Sequence, residues 1–232
     1  MECVLEKGFW AVIGAFLCAF LGLITCIFLD YKECVLEEGF WAVIGAFLGA
    51  FLGLITSIFL DYRRCKLVET SLYQEADFIS NMMSSFFIAL VMDHKKDTIN
   101  PYGGDSIIAP REIKFDSFFA LHMELYKTRK IPSHDHRKLV HNIGYQWSKI
   151  LSLDSERVVK RNGHFIFDIN KNKSKQMINI LVDMLFYLDL FVKNKSKFKF
   201  SENNANTNAK IDFLLSKYEI NSNEISDLIK QE

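Results

Sequence analysis

Residues 39–60 read GFWAVIGAFLGAFLGLITSIFL, 22 positions without a charged side chain. As a helix rising about 1.5 Å per residue the stretch is about 33 Å long, enough to cross a hydrocarbon core about 30 Å thick. Its flanks suit that reading. Trp41 and Tyr62 stand near the ends, where amphipathic rings favour the interface, and Asp61, Arg63 and Arg64 close the apolar run.

Working outward, residues 8–29 repeat the same run. Aligned at a period of 31, residues 2–32 and 33–63 differ at only four positions: Lys7/Glu38, Cys18/Gly49, Cys26/Ser57 and Lys32/Arg63. Residues 1–63 therefore read as a duplicated transmembrane helical hairpin, with spans at about 8–29 and 39–60. A cleaved signal peptide would carry a basic leader, whereas residues 1–7 contain Glu2 and Glu6. The connector, residues 30–38, is too short and too charged to recross a bilayer, so the two helices must be antiparallel. Arg63, Arg64 and Lys66 follow the second run while the connector holds Lys32 alone, which places both termini and the C-terminal domain in the cytoplasm. Cys34 is expected outside, and Cys3 and Cys65 inside. Richness in Asn, Lys and Ile suggests a bacterial inner membrane.

Within the runs, small residues recur every fourth position: Gly14, Cys18 and Gly22 in the first, Gly45, Gly49 and Gly53 in the second. Lipid offers no hydrophobic force between helices. Ridges of this kind let backbones approach for dispersion and weak Cα–H···O contacts, so a homo-oligomer is expected.

The rest of the chain has a different composition. Residues 1–63 hold three bases and seven acids, and residues 64–232 hold 25 bases and 21 acids, net +4. That excess is too mild to argue for a nucleic-acid partner. All five cysteines lie at or before Cys65, which excludes a disulfide framework or zinc ribbon beyond it. Val68, Leu72, Ala76, Ile79, Met83, Phe86 and Leu90 form one helical stripe, predicting a stalk helix that continues from the second span. Further helices are expected over 111–127, over 135–151 with Ser133 or Asp135 as N-cap, and over 176–192. Val158-Val159 and Phe165–Phe167 predict a β-hairpin closed by Asn162-Gly163. The fold class is thus a mainly α membrane protein: the hairpin, then a mostly helical soluble domain with one short β-hairpin. Its parts are a cytoplasmic helical domain at 64–193, a polar linker at 194–210 and a small helical segment at 211–232.

Candidate chemistry is sparse. His134, His136 and His141 are the nearest approach to a metal set, but gaps of two and five do not match paired ligands on one helix face, and helix capping accounts for them as well. His122 lies on an apolar stripe, as a core histidine would. Lys193, Lys195, Lys197 and Lys199 alternate with Phe198 and Phe200. They are read as a solvated linker rather than a surface for anionic lipid or nucleic acid. The Gly103-Gly104 loop lacks the Lys and Ser/Thr of a phosphate-binding loop, and no residue pattern calls for a cofactor. The expected function is a membrane protein whose cytoplasmic domain senses or binds a partner and is coupled to an oligomerising, membrane-perturbing hairpin. The alternatives are a tethered hydrolase or nuclease using the hairpin as an anchor, with those histidines as its site, and a scaffold that recruits a soluble partner.

Overall fold

The structure, a computed structural model, describes residues 14, 21, 37–107, 109–110, 113–128, 132–161, 166–200 and 206–220. Five helices account for most of them: α1, Glu37–His94; α2, Asp116–Lys127; α3, His134–Arg157; α4, Lys171–Asn194; and α5, Thr207–Lys217. Three short strands, β1 Thr98–Ile99, β2 Val158–Lys160 and β3 Phe167–Ile169, form an antiparallel sheet in the order β1-β3-β2. Contacts divide the chain into two compact units, Met1–Phe59 and Leu60–Glu232.

Helix α1 runs through the second apolar run and the predicted stalk without a break, because nothing between Leu60 and Leu72 interrupts helical propensity. Its surroundings change along the way. Between residues 45 and 60 no residue is buried, whereas Leu72, Ala76, Ile79, Met83, Phe87 and Leu90 are at most 1% exposed. They share the core of the second unit with Phe118 of α2, Ile143 and Ile150 of α3, Leu181, Leu185 and Leu188 of α4, and Ile211, Leu214 and Leu215 of α5.

Sequence-local devices set the helix ends. Ser133 accepts a hydrogen bond from the His136 amide at 3.2 Å and starts α3. Asn170 and Asn206 do the same for α4 and α5 through the amides of Lys173 and Ala209. Asn206 starts α5 inside the segment read as linker, so the last described helix, Thr207–Lys217, begins four residues before the expected segment at 211–232. The linker reading also fails at Phe198. This residue is 1% exposed and packs its ring against Phe191 at 5.6 Å, because alternation along 197–200 turns each lysine out and each phenylalanine in. Lysines also tie α5 onto α4. Lys210 meets Asp183 at 2.7 Å and lies 4.6 Å over the Tyr187 ring, and Lys217 meets Asp189 at 2.8 Å.

A hairpin is present as β2 paired with β3, but its second strand is Phe167–Ile169 rather than 165–167, with Lys160 opposite Phe167; the Asn162-Gly163 turn lies outside the described residues. Strand β1 was not expected. It pairs Thr98 with Asp168 and Ile99 with Phe167, and two residues are too few to show an alternating pattern.

Candidate functional site

One described helix is long and apolar enough to cross a membrane by length and composition, and its apolar window is not buried by protein. Leu52, Leu54, Phe59 and Leu60 are 54–60% exposed. A Cβ built on Gly45, Gly49 or Gly53 meets none of the described residues within 4 Å, and the same holds for Gly14. Along α1 this face is thus open to a partner from outside the described chain. Apart from Gly14 and Leu21, the first apolar run, including Cys18 and Gly22, lies outside the described residues, as do Cys3, Cys34 and the segment 221–232.

The three candidate histidines go to different places. His134 is exposed at the start of α3. His136 is buried: its Nε2 donates to the Lys195 carbonyl oxygen at 3.0 Å, and its ring stands edge-on to Phe191 at 5.0 Å. His141 is exposed on the wall of an open groove of about 580 Å³ that α3 forms with residues 113–119. Phe119 and Gly144 also line this groove, and they approach so closely that a Cβ on Gly144 would stand 3.0 Å from the Phe119 ring. Among the described residues no three His, Cys, Asp or Glu side chains gather in a way that could hold a metal ion.

His122 occupies the core position expected of it. It is 4% exposed, and Nε2 has no hydrogen-bond partner. Burial first, then the positive charge of His136, His141 and Arg137, pushes its pKa down to about 4.

A buried ion pair had no trace in the sequence. Arg157, the last residue of α3, is 0% exposed, and its Nη1 donates to Asp93 near the end of α1 at 3.2 Å while Nε donates to Asp154 at 2.8 Å. Burial raises the Asp93 carboxyl above its usual range, against the lowering effect of Arg157. In sequence Arg157 is one charge among several in a polar helix end. Only the packing of α1 beside α3 distinguishes it.

Four basic runs converge, and this is the main feature that the sequence did not display. The Phe191 ring touches Tyr73 of α1 at 5.0 Å, Phe118 of α2 at 6.4 Å and His136 of α3 at 5.0 Å, so the four helices share one layer there. From that layer α1 leads back to Arg63, α2 forward to Lys127, α3 back to His134 and α4 forward to Lys195, all toward one end. Arg64 and Lys127 both grip Glu124, the latter at 2.9 Å, and hold its carboxyl below the usual range. The Cys65 thiol reaches the Thr128 hydroxyl at 3.5 Å.

No protein-family model, no curated protein and no solved structure matches the chain.

Proposed function

We propose that the chain is an integral membrane protein with two spans and both termini in the cytoplasm of a bacterial cell. In this reading its duplicated helices self-associate along their small-residue faces, perturb the bilayer, and are coupled to a cytoplasmic helical domain that senses or binds a partner. The observation that carries the reading is the change of surroundings along α1. The helix is uncharged and apolar on every face over residues 39–60 and carries a single apolar stripe after residue 66, yet only the later stripe is covered by described protein. Uncovered apolar surface costs about 25 cal/mol per Å² in water, and lipid or a second copy removes that cost. The open glycine face adds a preferred line of contact for another helix.

Gly49→Ile tests this. Since nothing of the described chain lies within 4 Å of a Cβ there, the substitution acts on contacts between helices and leaves the chain's own core alone. Crosslinked oligomers in membranes should fall at least fivefold, and toxicity on overexpression should fall with them. Cys18→Ile should do less, because that copy already carries a larger side chain. Unchanged oligomers and unchanged viability would reduce the hairpin to a tether and favour the enzyme or scaffold. Impermeant maleimide on intact cells should label Cys34 and spare Cys3 and Cys65.

A further inference from the structure

We infer that the end of the helical domain where the four basic runs meet is a docking surface for anionic phospholipid headgroups. The runs at 63–66, 127–130, 137–138 and 193–199 carry ten lysines and arginines among the described residues, and every one of them is exposed. Five acids share this end: Asp61, Glu69, Glu124, Asp135 and Asp189. Glu124 is held between Arg64 and Lys127, and Asp189 between Lys193 and Lys217 at 2.8 Å each. Counted from residue 64, nine of these bases and four of these acids give +5, against +4 for the whole of residues 64–232. The far end, with eight bases against six acids among the described residues, carries +2, so the larger share of the excess lies at this end.

The far end shows the contrast. There Lys96 pairs with Asp105 at 2.6 Å, Arg161 with Asp168 at 2.8 Å, Lys171 with Asp97 at 3.3 Å, and Arg157 with Asp93 and Asp154. Each of the six acids at that end meets a base, eight bases in all, whereas five acids face ten bases at the other.

Two further observations select lipid as the occupant. Arg63 follows the apolar run of α1 by three residues, about 4.5 Å of helix, so the basic end begins where the apolar segment stops. Clusters of four to eight bases directly beside a span are attracted to anionic lipid, at about fivefold per residue. In addition, the run at 193–199 is pinned rather than loose. His136 binds the Lys195 carbonyl, Phe198 is in the core, and Lys138 lies 5.3 Å over the Phe200 ring. The lysines between these anchors are presented outward on a fixed backbone. This inference rests on the membrane reading above.

The test uses the full chain in nanodiscs, either of phosphatidylcholine alone or with about 30% phosphatidylglycerol, and reads lysine acetylation by mass spectrometry. In anionic discs Lys127, Lys138, Lys193, Lys195 and Lys197 should react at least fivefold more slowly, with Lys160 and Lys173 at the far end changing less than twofold. Roughly 1 M salt, with a screening length of about 3 Å, should abolish the difference. Equal rates in the two discs, or slowing shared by both ends, would overturn the inference. So would protection of these lysines by single-stranded DNA in neutral discs without protection by anionic lipid, which would make the surface a nucleic-acid site. Release of the chain from native membranes by carbonate would instead overturn the membrane reading, and this inference with it.

Discussion

His122 makes the stability of the helical domain depend on pH in a predictable direction. In an unfolded chain its imidazole takes a proton near pH 6.5, whereas in the fold it refuses one until about pH 4. Between those values the unfolded state binds more protons, so the contribution to stability is complete above pH 6.5 and is lost as pH falls toward 4. Each pKa unit is worth about 1.4 kcal/mol, which sets a ceiling of about 3 kcal/mol, and relaxation around the charged ring should bring the loss to about 2 kcal/mol. His122→Phe removes the titration and retains an edge-on aromatic partner for Tyr126, now 5.3 Å from the imidazole. Urea unfolding of the full chain in neutral detergent, with Trp10 and Trp41 replaced by Phe so that Trp147 alone reports, should show wild type losing about 2 kcal/mol more than His122→Phe between pH 7.5 and pH 4. Carboxylates titrate in both proteins and cancel in the comparison. Parallel pH profiles would refute the placement of an unpartnered, buried imidazole at this position.

Two further substitutions probe the core and one helix end. Arg157→Met should cost about 3–5 kcal/mol by stranding the buried Asp93 carboxylate, and adding Asp93→Leu should recover most of the loss in the same unfolding assay. Glu219 holds φ at 54° just past α5, where the Ile220 amide donates back to the Leu215 carbonyl, so Glu219→Gly should raise stability by about 1 kcal/mol as a higher melting temperature.

Helix periodicity was legible because each stripe is written within its own segment. Leu72, Ala76, Ile79, Met83, Phe86 and Leu90 repeat at helical spacing and are all buried, and Ser133 announces the start of α3 by residue type alone. Strand β1 was not legible, since its order comes from β3 across the sheet and not from its own two residues. Arg157 was not legible either, because its partner Asp93 is 64 positions away.

The segment 193–199 shows why a local reading of charge can mislead. Seven residues with four lysines look solvated when only their own composition is weighed, and the two phenylalanines nearby look incidental. Each phenylalanine, however, has a place to go: Phe198 beside His136 and Phe191, and Phe200 against Tyr187 at 4.8 Å. Burying one such ring is worth about 2 kcal/mol, enough to hold a short chain segment against its lost freedom. With the backbone held, the lysines become fixed points of charge rather than a diffuse cloud. Their meaning then depends on what else reaches the same end of the domain, and that is set by the directions of α1, α2, α3 and α4. Helix direction follows from loops and packing and leaves no periodic mark. Four runs that each pass for ordinary surface in sequence therefore become one basic surface only when the chain folds.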